Sequence, residues 1–95
     1  MSLIEGLNKD FESRVRLGIM SILLVNDWVE FGEIKELLNL TDGNLASHSK
    51  TLEKNKYIEI KKEFVGKKPR TTYRVTRFGK ESFQKHINAL ENLLN

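Results

Sequence analysis

The 95 residues, 39% hydrophobic and 31% charged, suit one domain spanning 1–95 with a modest core, and no run of about 18 apolar residues offers a transmembrane helix. Zero cysteines exclude disulfides, thiolate zinc sites and cysteine nucleophiles, and the start "MSLIEGLNKDFE" lacks the features of a secretory signal, so a cytoplasmic protein is expected. The net charge of +3 is divided unevenly: residues 1–40 hold four Lys/Arg against seven Asp/Glu, residues 41–95 hold twelve against six, and Lys61–Arg77 sets seven basic residues against Glu63 alone, a pattern that fits a polyanionic partner or a solvated basic surface.

Phe11, Val15, Ile19 and Ile22 recur at helical spacing, and Leu17, Met20, Leu23 and Leu24 widen the stripe, so a first helix is expected from about Asn8 to Val25. Asn26-Asp27 reads as a turn, and Trp28–Phe31 as a short strand or connector. "GEIKELLN" at Gly32–Asn39 places Ile34, Leu37 and Leu38 on one side, enough for a second helix of about two turns. Thr41 is a good N-cap, and Asp42 suits the positive end of a third helix expected over about Asp42–Lys54. Leu45, Ser49 and Leu52 mark its core face. Gly43, Ser47, Lys50 and Lys54, with Asn44 and Ala46 beside them, mark an outer face that is small, polar and positive.

"YIEIKKEF" and "TTYRVT" alternate with period two as half-buried strands, and they join through the tip Gly66-Lys67-Lys68-Pro69-Arg70, expected to be a hairpin loop of about five residues. From about Arg77 to Leu94, Phe83, Ile87, Leu90 and Leu94 define a long closing helix with a coiled-coil-like seam. The fold class expected is α+β, with a three-helix core, a β-hairpin and a C-terminal helix.

A short helix, a tight break and a polar third helix make a helix-turn-helix, whose second helix can enter the DNA major groove. That helix needs small residues for close approach, amides or hydroxyls for base edges, and cations for phosphates. Gly43, Asn44, Ala46, Ser47 and Lys50 meet the demand: Asn44 has the geometry to pair with adenine, Lys50 to reach guanine or phosphate, and Ser47 to serve base or backbone.

Over about Arg14–Phe83, the chain resembles winged helix-turn-helix transcriptional regulators of the broad MarR/ArsR type, especially compact MarR-like proteins. The resemblance is carried by "LTDGNLASHSKTLEKNKYIEI" at 40–60, with Leu45, His48 and Leu52, and by "GKKPRTTYRVTRFGKESF" at 66–83. It implies a repressor or activator that binds double-stranded DNA as a homodimer. It also implies DNA-contact roles for Thr41, Asp42, Asn44, Ala46, Ser47 and Lys50, and for Lys67, Lys68 and Arg70 of the wing, with Lys54 continuing the cationic face. Where such proteins commonly carry Gly after the recognition helix, this chain has Asn55-Lys56; Asn tolerates a left-handed cap better than Lys, so the helix is expected to end one residue earlier.

His48 and His86, the two histidines, lie far apart with no cysteine near, so no metal site is expected. Ser47 and His48 are adjacent in a helix and point apart, no acid is spaced to orient the imidazole, and no phosphate-cradling glycine motif exists, so neither an enzyme nor a cofactor is expected. A small-molecule effector is left open, with no residue cluster to name it. The seam Phe83, Ile87, Leu90 and Leu94 either closes the protomer's core or, with Leu3, Ile4 and Leu7, forms a two-fold interface, the reading preferred here. For the tip, the alternative is a solubilising loop that blunts a sheet edge. For the whole chain, the alternatives are a winged-helix protein-interaction module or a nonspecific architectural DNA-binding protein.

Overall fold

The computed structural model describes residues 2–95. These fold as a 3-10 turn (Lys9–Phe11), α1 (Arg14–Leu24), β1 (Val29–Glu30), α2 (Phe31–Leu38), α3 (Asp42–Lys54), β2 (Ile58–Val65), β3 (Lys68–Val75) and α4 (Arg77–Leu94). The strands form an antiparallel sheet in the order β1-β3-β2. The α+β architecture therefore agrees with the sequence expectation; α2 begins one residue early, at Phe31, and leaves Leu37 exposed, and three further local differences have clear physical causes.

The first difference lies at the start of α1. Helical spacing places Phe11 inside the helix, but it belongs to the separate 3-10 turn, because two capping side chains divide the segment. Asn8 Oδ1 accepts from the Asp10 N–H at 2.9 Å, and Ser13 Oγ accepts from the Arg16 N–H at 3.3 Å. Each satisfies a backbone donor that a continuous helix would have used internally. Phe11 nevertheless reaches the core, 4.7 Å from the Tyr57 ring and 5.2 Å edge-on to Phe83.

The second difference is the end of α3. Asn55 keeps φ −86°, and Lys56 takes the left-handed conformation at φ 69°. The Lys56 N–H donates to Glu53 O at 2.9 Å and the Tyr57 N–H to Leu52 O at 3.0 Å, the paired bonds of a Schellman cap. α2 ends in the same way at Asn39, φ 52°. The cap thus falls on a lysine because the Tyr57 ring must turn into the core at the next residue.

The third difference is the hairpin. Its loop is the two residues Gly66-Lys67, since Val65 pairs with Lys68, Phe64 with Pro69 and Glu63 with Arg70. Gly66 alone in this turn has positive φ, 65°, as a type II′ turn requires at its first central position. Proline can enter this strand because β1 ends beside Thr72 and needs no N–H from Pro69.

Ile19, Met20 and Leu23 of α1 pack with Ile34, Leu45 and Leu52 from the other helices, beneath Ile58, Tyr73 and Val75 of the sheet. α4 leaves the sheet through Thr76. Its Oγ1 accepts from the Gly79 N–H at 2.9 Å and lies 2.8 Å from the Lys56 carbonyl and 3.0 Å from that of Tyr57. Gly79 packs directly on the Tyr57 backbone, leaving no room for a Cβ. This contact gives a physical reason for Thr76 and Gly79 within "TYRVTRFGKE".

Candidate nucleic-acid interface

Helix α3 is positioned by its buried side. Leu45, Ser49 and Leu52 are wholly buried, while Thr41, Asp42, Gly43, Asn44, Ala46, Ser47, Lys50 and Lys54 are exposed. The small, polar and positive face is thus presented outward as one surface. Ser49 is accommodated at a cost: its Oγ is buried without a hydrogen-bond partner, and so is Thr72 Oγ1 on β3.

Two residues at the start of α3 have structural commitments. Thr41 Oγ1 accepts from the Asn44 N–H at 3.1 Å and caps the helix. Asp42 pairs with Lys35 of α2 at 2.7 Å, bridging the turn between the two helices. Lys50, Lys54, Lys67 and Lys68 make no ion pair among the described residues, so their charges remain available.

The wing runs from the sheet beside α3. A cleft of about 500 Å³ separates them, lined by Ala46, Lys50 and Glu53 of α3 and by Ile60, Lys62 and Tyr73 of the sheet. Lys62 thereby joins Lys50 and Ala46, although the sequence reading did not single it out. The available signal was strand alternation, which places Lys62 on the same face as Ile58 and Ile60. Burial raises the pKa of the Tyr73 hydroxyl at the base of this cleft, so Tyr73 adds no charge there near neutral pH.

The opposite face of the sheet is stapled at the wing's base. Trp28 lies under two cations, with Lys61 Nζ 4.4 Å and Arg74 Cζ 4.5 Å from its ring centre. Each such contact contributes about 0.5–1 kcal/mol at an exposed site. Arg74 also reaches both Glu59 carboxylate oxygens at 3.3 Å. Further out, Arg70 is held by Glu30 at 3.3 Å. Glu30 sits on β1 opposite Thr72, so this acid curbs one of the wing's three cations.

The expected two-fold surface is only partly free. Phe83 belongs to the chain's own core, against Phe11, and Ile87 packs partly against that core. Leu7 and Leu90 are half-buried, whereas Leu3, Ile4 and Leu94 are exposed. The N-terminal segment is tied to α4 by the Asn8 N–H, which donates to His86 Nδ1 at 3.0 Å. Asn8 Nδ2 also donates to Tyr57 Oη at 3.2 Å, and Tyr57 in turn donates to Asp10 at 2.7 Å. Among the described residues, no helix is long and apolar enough to cross a membrane, and no group of three His, Asp or Glu could hold a metal ion.

Comparison with known proteins agrees with this geometry. The family model of the winged helix DNA-binding domain matches residues 15–94. An uncharacterized protein of Methanocaldococcus jannaschii is 39% identical over 79 residues, 83% of this chain and 86% of that protein. Among solved structures, a transcriptional regulator homologue from Pyrococcus horikoshii superposes with TM-score 0.85 at 33% identity, covering 97% of this chain and 89% of the other. A structure assigned to the MarR family, from Porphyromonas gingivalis, shares the fold at TM-score 0.70 and 17% identity, covering 92% of this chain and 84% of its own. With its helix-turn-helix, two-stranded wing and the match over residues 15–94, the chain belongs to the winged helix DNA-binding domain family.

Proposed function

We propose that the protein is a cytoplasmic, sequence-specific, double-stranded-DNA-binding transcriptional regulator that acts as a homodimer. The observation that carries this reading is the joint placement of α3 and the wing. Asn44, Ala46, Ser47 and Lys50 stand exposed on α3, and Lys50 and Ala46 share a cleft with Lys62 of the wing strand.

α3 enters the major groove in this reading. Its small residues permit close approach, Asn44 and Lys50 reach base edges, and Ser47 takes a base or a phosphate. Lys54, Lys62, Lys67, Lys68 and Arg70 neutralise phosphates on either side. Asp42 acts indirectly by holding α2 to α3 through Lys35, and Thr41 acts as the cap that fixes where α3 begins. A second copy docks through the exposed Leu3, Ile4 and Leu94 with the half-buried Leu7, Ile87 and Leu90, while Phe83 stays in the protomer. The family and fold are those of DNA-binding regulators, and the chemistry proposed is recognition without catalysis.

The test is selection of bound sites from a random duplex pool. The expected product is a palindrome with half-site centres about 10 base pairs, or a multiple of that, apart. Recovery of unrelated sequences bound with equal affinity would instead indicate an architectural protein, and recovery of no duplex would remove DNA as the partner.

A further inference from the structure

The wing carries an apolar feature that a purely electrostatic clamp does not require. Phe64 is 75% exposed near the tip, although most aromatic side chains of this protein are buried or stacked. Its cross-strand partner is Pro69, also exposed. Strand alternation places this pair on the same sheet face as Lys62 and Ile60, the face that borders α3 across the cleft. Arg70, Lys68 and Glu63 project from the opposite face.

We propose that Phe64 and Pro69 form an apolar wedge that enters the DNA minor groove beside the α3 site and loosens the base stack there. The inference rests on the DNA-binding reading above and extends it to a wing contact that is neither a phosphate nor a base-edge hydrogen bond. Charge complementarity selects duplex DNA as the occupant. Lys62 shares the pair's face, Lys67 sits in the turn beside it, and Lys68 and Arg70 lie on the other face of the same narrow hairpin, with Glu63 as the acid in the hairpin's outer half. A second copy of this wing would bring the same positive charge and be repelled, whereas the groove's walls are anionic and its floor accepts apolar side chains between base steps. Geometry agrees: a two-residue turn makes the tip narrow, and Pro69 stiffens the strand behind Phe64.

The experiment uses the full chain, a duplex selected by the protein, and 2-aminopurine substituted in turn at positions flanking each half-site. Bound wild type should raise 2-aminopurine emission at one flanking step per half-site. Phe64→Ala should abolish that rise and weaken binding about tenfold per wing, the scale of removing one aromatic side chain from a base. Because the wedge is apolar, F64A should leave the salt slope unchanged. Lys67→Ala with Lys68→Ala should instead reduce the slope by about 0.9 for each phosphate no longer neutralised. Phe64→Leu keeps apolar bulk and should retain most of the affinity.

If wild type binds but its emission matches free duplex, or if F64A binds and reports as wild type does, the wedge is refuted while DNA binding stands. If wild type binds no duplex, the underlying functional reading fails. Loss of self-association in F64A at unchanged DNA affinity, read by sedimentation, would overturn the wedge in favour of a protein contact.

Discussion

Replacing Lys56 by glycine should stabilise the protein. Lys56 closes α3 at φ 69°, where an L-residue bears about 1–2 kcal/mol of crowding between its Cβ and carbonyl oxygen. Glycine removes that penalty but gives the unfolded chain extra freedom, which costs about 0.5–1 kcal/mol. The net gain expected is about 0.5–1 kcal/mol, or roughly 2–8 °C in Tm for a domain of this size. Both hydrogen bonds at the site use backbone atoms: the N–H to Glu53 O at 2.9 Å, and the carbonyl accepting from Thr76 at 2.8 Å. They survive the substitution. Lys56→Ala is the control, since it removes the same ammonium but keeps the strained conformation, and its Tm should stay near that of wild type. Thermal unfolding followed by circular dichroism, at one fixed protein concentration because self-association of a folded protein makes Tm concentration-dependent, decides the matter. Equal gains in K56G and K56A would trace the effect to charge, and a lower Tm in K56G would refute the strain argument.

Gly79→Ala should cost about 3 kcal/mol, because a Cβ there collides with the Tyr57 backbone, which cannot swing away as a side chain could; near-wild-type urea stability would refute the contact. Burial holds the His86 imidazole below its ordinary range, against an opposing pull from Glu12. Between the depressed folded pKa and about 6.5 the unfolded chain binds more protons, so stability is full above about pH 6.5 and declines as pH falls below it. His86→Gln should flatten that part of the pH profile, and an unchanged slope would exonerate His86. Glu30→Gln frees Arg70 and removes a negative charge near the wing, so DNA affinity should rise about two- to fivefold at low salt, whereas a loss would mean that Glu30 positions Arg70 productively. Asn44→Ala with Lys50→Ala should erode sequence preference, while Lys67→Ala with Lys68→Ala should weaken all duplexes alike; identical behaviour of the two pairs would contradict the division between reading helix and wing.

Much of this molecule was legible in the chain because its signals are local and periodic. The helical spacing of Leu45, Ser49 and Leu52 located the buried side of α3, and therefore its outward face, without any tertiary contact. Thr41 announced the start of α3 because capping involves residues only a few positions apart, and the structure shows Thr76 doing the same for α4. Strand alternation likewise identified the hairpin, although Pro69 suggested a longer loop than the two residues observed. Proline excludes a backbone donor only where a neighbouring strand needs one, and β1 stops short of it.

Other features depended on partners distant in sequence. The left-handed turn moved from Asn55 to Lys56 because Tyr57 must enter the core against Phe11, overriding the local preference for asparagine. Phe83 looked like part of an interfacial seam, but the helical stripe alone could not show that Phe11 and Tyr57 already occupy its neighbourhood. Lys62 acquired its place beside Lys50 only when the sheet packed near α3, and Arg70 acquired a restraining partner only when β1 brought Glu30 alongside. The amino-acid sequence by itself determined how many main helices there are and roughly where they lie, which face of α3 is polar and where positive charge concentrates, since those follow from spacing and composition. Tertiary structure decided which cations share a cleft, which are paired and which apolar side chains are left exposed at the wing, because these depend on through-space contacts that no local period encodes.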